Sequence, residues 1–227
     1  MVPKQVDAEV RRQEVVEAVL RIVATDGLER ASLREVAAEA GLAVGSVRHY
    51  FATSEELLVF SFATVVDRIT GRLDDAGKEV LELPPGSHDH RAAVLTLLCQ
   101  FLPLDEERAL DCCAWLAFKN AARIKPFLAP VADRSHRAVA AAVGELVMDL
   151  IAGPDRDSPA ASKGVDDNDR QALVTEAERL LATLEGLGMH ALLQPEWMTA
   201  QMCLDVLESH LRTIGTGVGN GASRRGP

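Results

Sequence analysis

The sequence predicts an all-α protein of about nine helices, with a small three-helix head at the N-terminus and a larger helical domain behind it. Three observations carry this expectation. Only 4% of the residues are aromatic, and the apolar load falls mainly on Ala, Leu and Val, a mixture that favours packed helices over sheets. Apolar residues recur at spacings of three and four, and no strand-like alternation stands out. Gly and Pro mark the boundaries between the periodic stretches. With 227 residues, the chain is long enough to bury a sizeable core without disulfide or metal staples.

The first helix is expected over residues 7–26, with Val16, Leu20 and Val23 on one stripe, Val15, Val19 and Ile22 beside it, and Gly27 closing it as a C-cap. Ser32-Leu-Arg-Glu35 reads as a capping box that opens a short helix over 33–40. Gly41 then breaks the chain, and residues 44–51 form a second short helix. Another box, Thr53-Ser-Glu-Glu56, starts a long helix with the stripe Leu58, Phe62, Val65, Ile69 and Leu73, which ends near Pro84-Pro85-Gly86. Helices follow at about 89–101, 105–123 and 126–151, separated by Pro103 and Pro126. Residues 109–122 are apolar nearly all round and are expected at the buried centre of the larger domain. Residues 153–169 read as a mobile loop, and the Gly-rich tail 215–227 reads as disordered.

The last two helices have the clearest periodicity. Leu173, Ala177, Leu180, Leu184, Leu187 and Ala191 are spaced 4, 3, 4, 3, 4, and Trp197, Ala200, Leu204, Leu207, Leu211 and Ile214 are spaced 3, 4, 3, 4, 3. Such seams serve either the chain's own core or a four-helix bundle to which two chains each contribute a pair. The second reading, a homodimer, is the one adopted. It places Leu173, Leu180, Leu184, Leu187, Trp197, Leu204, Leu207 and Leu211 at the interface.

The two short helices have the spacing of a helix-turn-helix. Ala37 is the small residue where the helices approach, Gly41 supplies the left-handed turn, and Val47 anchors the second helix, with Val36, Ala40, Leu42, Tyr50 and Phe51 around them. The second helix would lie in the major groove of double-stranded DNA. It would present Val44, Gly45, Ser46, Arg48 and His49 to base edges and phosphates. Ser32, at a helix N-terminus, is placed for phosphate.

The run Ser32-Leu-Arg-Glu-Val-Ala-Ala-Glu-Ala-Gly-Leu-Ala-Val-Gly-Ser-Val-Arg-His-Tyr-Phe51, followed by Ser54-Glu-Glu-Leu-Leu58, resembles the N-terminal signature of the tetracycline-repressor (TetR) family of bacterial regulators. Leu102-Pro-Leu-Asp-Glu-Glu107 and Trp115-Leu-Ala-Phe118 are similar to the effector domain of its choline-responsive branch, without implying a choline ligand. The resemblance implies a ligand-responsive repressor. Residues 1–52 would bind a near-palindromic operator and residues 53–214 would bind an effector and dimerise, with the effector releasing DNA. Its pocket would be lined by Phe62, Phe101, Cys112, Trp115, Phe118, Lys119 and Asn120, although plain core packing explains each of these equally well. The departures from the family pattern are specific. Ala43 stands where Ser or Thr usually caps the recognition helix, Arg48 replaces a common Tyr, and Ser54 replaces a frequent Lys. The weakened phosphate contact would then be supplied by Arg11, Arg12 or Arg34, and Tyr50 would pack its ring and offer its hydroxyl.

The formal net charge of −10 is unevenly spread. Residues 1–51 hold seven Lys or Arg against eight Asp or Glu, and the rest of the chain holds 17 against 26. A nearly neutral head with basic side chains on one face can bind phosphate, while an acidic body limits nonspecific association. Apolar stretches are short and broken by charge, so a cytoplasmic location is expected. Cys99, Cys112, Cys113 and Cys203 lack Cys-x-x-Cys spacing, and His88-Asp-His90 lacks further ligands nearby, so neither metal nor cofactor is expected. No catalytic motif appears. The competing reading is a helical small-molecule-binding or interaction protein with a degenerate DNA-binding head.

Overall fold

The computed structural model describes residues 4–152 and 167–214, and among these residues every regular element is helical. The described residues form nine α-helices in chain order: α1 Lys4–Asp26, α2 Leu33–Glu39, α3 Val44–Tyr50, α4 Ser54–Glu82, α5 His88–Leu98, α6 Glu106–Ala122, α7 Ala129–Ala152, α8 Asp167–Leu193 and α9 Ala200–Thr213. Short 3-10 turns precede α2, follow α5 and precede α7. The all-α expectation holds. The loop expected over 153–169 falls largely outside the described residues, and the tail expected over 215–227 does so entirely.

Local chemistry explains where the helices start. Gly27 takes φ 86°, closes α1 and sends its N–H to the Ile22 carbonyl at 3.1 Å. Ser32 caps α2 by accepting from the Glu35 N–H at 3.2 Å, but only half of the expected box forms, because the Ser32 N–H is taken by the Arg30 carbonyl at 2.8 Å. The second box also differs from its ideal form. Thr53 Oγ1 accepts from the Glu56 N–H at 3.0 Å, and the Glu56 carboxylate reaches back one residue further than usual, to the Ala52 N–H at 2.8 Å.

The final helix starts later than its stripe suggested. Thr199 Oγ1 caps α9 through the Met202 N–H at 3.3 Å, and the Gln194 carbonyl takes the N–H groups of Trp197 and Met198. Trp197 therefore lies in the turn before α9 rather than on it.

Two compact units make up the chain. The first comprises residues 1–71 and 105–135, the second residues 72–104 and 136–227. In the first unit, Val15, Val19, Val36, Val47 and Phe51 share one core with Leu57, Phe62, Ala114, Phe118 and Leu128, so α1–α3 pack with the start of α4 and with α6. In the second, Val80, Val94, Leu98, Val143 and Val147 share a core with Leu180, Leu184, Leu187 and Leu207. The expected burial of α6 holds at Cys112, Ala114, Phe118 and Ala121, but α6 shares its core with α1–α3 in the first unit instead of forming the centre of a larger domain behind the head.

Candidate functional site

The geometry of α2, the turn and α3 follows from three residues. Ala37 is buried and accepts the Leu42 N–H at 2.8 Å, Gly41 adopts φ 66°, and Val47 is fully buried below α3. Any side chain with a Cβ would strain the backbone at Gly41, whereas the chain tolerates it without cost only at glycine.

The helical period then sorts α3 into two faces. Val47 and the following Phe51 point into the core, while Val44, Gly45, Ser46, Arg48 and His49 are exposed. Val44 is 38% exposed, and a Cβ added at Gly45 would meet nothing within 4 Å. The face is thus small and open at its start and polar toward its end. Tyr50 is half-buried, with its ring edge-on to His49 at 5.3 Å between centroids. Ala43 takes the extended N-cap conformation but makes no side-chain cap bond. Ser32 and Arg34 are exposed, and Ser54 is half-buried at the start of α4.

The basic residues considered as phosphate anchors fare differently. The Arg12 guanidinium lies over Phe51 at 5.2 Å and over Phe60 at 4.5 Å, so its plane packs against the aromatic pair beneath α3. Arg11 pairs with Glu14 at 2.7 Å, and Arg34 is exposed. Arg21 bridges to Glu39 at 2.7 Å and ties α1 to α2.

A charged cluster escaped the sequence reading. Arg68 on α4 hydrogen-bonds Glu17 on α1 and lies 3.5 Å from Asp111 on α6, whose side chain is fully buried. Burial alone would raise the Glu17 carboxyl, but hydrogen bonds from Arg68 and Gln13 and the charges of Arg68 and Arg21 outweigh it and hold the group below its usual range. Arg68 loses charge stabilisation through burial and regains more from Glu17 and Asp111, so its guanidinium titrates above the normal value. The available signal was Asp111 itself, the one acidic residue in the apolar stretch 109–122.

The residues expected to line a pocket do not all come together. Phe62 and Phe118 are fully buried and stack on each other at 5.0 Å with an 8° interplanar angle. The Trp115 Nε1–H donates to Ser135 Oγ at 3.4 Å, and Lys119 Nζ stands 4.3 Å from the Trp115 ring. Asn120 is exposed, and burial first, then the neighbouring Cys113 and Asp111, pushes the Cys112 thiol up to about 12. These six belong to the first unit, whereas Phe101 belongs to the second. There Phe101 borders a cavity of about 900 Å³ between the end of α4, α5 with its following turn, α7 and the start of α8.

One wall of that cavity carries Asp149, held by the buried His90. The Gly86 N–H donates to His90 Nδ1 at 3.4 Å, which places the ring proton on Nε2, where it is donated to Asp149 Oδ2 at 3.1 Å. His88 and His90 therefore lie on the first turn of α5 rather than in a loop, and only His88 faces solvent.

On α8 and α9, Leu180, Leu184, Leu187 and Leu207 are buried within the chain, and Leu173, Leu204 and Leu211 are half-buried. The apolar residues left outside are Val174, Met189, Leu193 and Met202, with Trp197 77% exposed.

Residues 15–59 match the model of the bacterial regulatory proteins of the tetR family, and residues 90–216 match the BetI-type transcriptional repressor C-terminal model. The chain is 34% identical over 212 residues to the HTH-type transcriptional regulator PksA of Bacillus subtilis, covering 93% of each protein. It is 25% identical over 212 residues to BetI of Rhizobium meliloti, covering 92% of this chain and 93% of that one. Among solved structures, it is similar to a transcriptional regulator from Rhodococcus sp. Rha1, with TM-score 0.72, 27% identity, and coverage of 91% of this chain and 96% of the other. A regulator from Saccharomonospora viridis solved with choline shares the fold at TM-score 0.65 and 16% identity, over 90% of this chain and 94% of that one.

Proposed function

The chain belongs to the tetR family of bacterial regulatory proteins and is a transcriptional regulator rather than an enzyme, and on that premise we propose that it is a ligand-responsive repressor binding a near-palindromic operator as a homodimer. The observation that carries this reading is the face of α3. Val44, Ser46, Arg48 and His49 stand exposed on a helix whose opposite side is anchored by Val47 and Phe51, which is what reading a major groove requires. Arg48 offers bidentate recognition of guanine or a phosphate contact, and Val44 an apolar contact for a thymine methyl. Ser32, Arg34 and Tyr50 supply contacts to the DNA backbone. Arg12 is less suited to this role, because its guanidinium is engaged with Phe51 and Phe60.

The homodimer would form through α8 and α9. The apolar side chains those helices leave outside the chain's own core support this, and they move the expected interface away from Leu180, Leu184, Leu187 and Leu207, which that core buries, to Val174, Met189, Leu193, Trp197 and Met202, with Leu173, Leu204 and Leu211 half-buried beside them. The effector would bind behind the head and favour the arrangement of the two heads that does not fit the operator.

Fluorescence-anisotropy titrations on the promoter region beside the protein's own gene, at several salt concentrations, test the reading. Tight binding to one segment, weakening steeply with salt, is expected. Arg48→Ala should relax preference at one base pair if Arg48 reads guanine, or weaken all sequences alike if it holds phosphate. Equal, weak binding to every fragment would favour the alternative of an interaction protein with a head that no longer reads DNA.

A further inference from the structure

On the reading that this regulator answers a small molecule held in the cavity bounded by α4, α5, α7 and α8, we propose that this effector is an amphiphile with an aliphatic body and a neutral or cationic head, and neither a compact quaternary ammonium ion nor a carboxylate.

Four observations point to that chemistry. The cavity floor is aliphatic, with Leu73, Val80, Leu98, Val143 and Leu146 all buried, so whatever enters it loses water without gaining a polar partner there. A polar body would be penalised, and a hydrocarbon one would not. Phe101 is the one aromatic ring among the lining residues. A small quaternary ammonium ion is held by several rings whose faces offset its lost hydration, and the described lining residues do not supply such a cage.

The charged groups lie at the margin. Asp74 and Glu145 are exposed, and Asp149 is half-buried beside His90. Among the described lining residues Lys78 is the one basic group, 2.7 Å from Asp75 in an exposed pair, so the margin keeps more acid than base. A carboxylate head seated among three acids meets like-charge repulsion, whereas an ammonium or a hydroxyl donor is accommodated.

Gly77 is the fourth observation. It lies inside α4 on the cavity wall, and a Cβ built there would meet nothing within 4 Å. Its φ is not positive, so no turn demands it. A glycine inside a helix costs about 1 kcal/mol relative to alanine. Gly77 is among the residues that line the space, so a larger side chain at this position would compete with a ligand for it. At about 900 Å³, the space suits a ligand of drug-like size rather than a two- or three-carbon metabolite.

Isothermal titration of the full-length protein with dodecylamine, 1-lauroylglycerol, dodecanoate and choline, each below its micellar concentration, tests the inference. The amine and the glyceride are expected to bind saturably, dodecanoate at least tenfold more weakly, and choline without measurable heat. Gly77→Phe, at a position where a Cβ meets nothing within 4 Å, places a ring on the cavity wall and should abolish amphiphile binding while leaving thermal stability equal or higher. Asp149→Asn with Glu145→Gln should close most of the gap between amine and carboxylate. Equal binding of dodecanoate, tight binding of choline, or undiminished binding to Gly77→Phe would overturn the proposal, the last by revealing surface adsorption. If the amphiphiles bind the cavity but leave the operator complex intact, the site stands and the ligand-responsive reading fails. If none binds while another compound releases the operator, that reading stands and this inference fails.

Discussion

Arg68 on α4 reaches the fully buried carboxylate of Asp111 on α6 at 3.5 Å while hydrogen-bonding Glu17 on α1. One guanidinium thus fastens the first helix of the head to the central apolar helix of the same unit. Its planar fork suits this bridging, which a lysine would not reproduce.

Replacing Arg68 with Met should therefore be costly. It removes a cation from beside a buried carboxylate, a change worth about 3 kcal/mol. Urea unfolding is expected to show that loss in Arg68→Met, and a clearly smaller loss in Arg68→Met combined with Asp111→Leu. Additive losses would show that the two residues act independently.

The same cluster sets an acid limit. The carboxyl of Glu17 titrates lower in the folded chain than in the unfolded one, so its contribution is complete above the unfolded value of about 4.3. It is lost as pH falls through the lower folded value. Glu17→Gln should be less stable than the parent at pH 7, and the difference should shrink as pH drops below about 4. Thermal melts at pH 7, 5 and 3.5 check this. A difference that grows toward acid would refute it.

The helix starts give a paired prediction. Ser32 caps α2 whereas Ala43 leaves α3 without a side-chain cap, so Ser32→Ala should destabilise by about 1 kcal/mol and Ala43→Ser should stabilise by a similar amount. Chemical denaturation of the two single variants reads both effects. If Ala43→Ser also weakens operator binding, the added side chain stands in the path of the DNA.

Leu193→Glu and Met189→Glu place charge on exposed apolar positions of α8 without disturbing a buried one. Each is expected to shift sedimentation velocity toward monomer and to weaken operator binding at least tenfold. The isolated chain should keep its helical circular dichroism. A monomeric parent would remove the dimer from the proposal altogether.

The head was legible in the sequence because its determinants are local. Gly41, Ala37 and Val47 lie within one short segment, and the boundaries of α2 and α3 follow from neighbours a few residues away. The Arg68 cluster was not legible, because its partners lie 51 and 43 residues away in the chain, and only the packed unit brings them together. The packing of Arg12 was hidden for the same reason. As a basic residue near the head it suggests phosphate, and only the position of Phe60 on α4 shows that its guanidinium faces rings. The cavity lay beyond sequence reasoning, which favoured bulky aromatics as lining. Phe62 and Phe118 instead fill space by stacking on each other. A void is made by what is missing, and hydrophobic periodicity does not register it.

The two tryptophans of the chain occupy opposite environments, and that difference is a spectroscopic asset. Trp115 is half-buried with its indole N–H bound to Ser135, whereas Trp197 stands in water ahead of α9. The emission of the isolated chain should therefore be the sum of a blue component and a red one, and only the red one should be open to acrylamide quenching. Assembly over α8 and α9 would move the red component alone. A structural change around α6 would move the blue one. Association and internal rearrangement can thus be followed separately, in one spectrum and without a label.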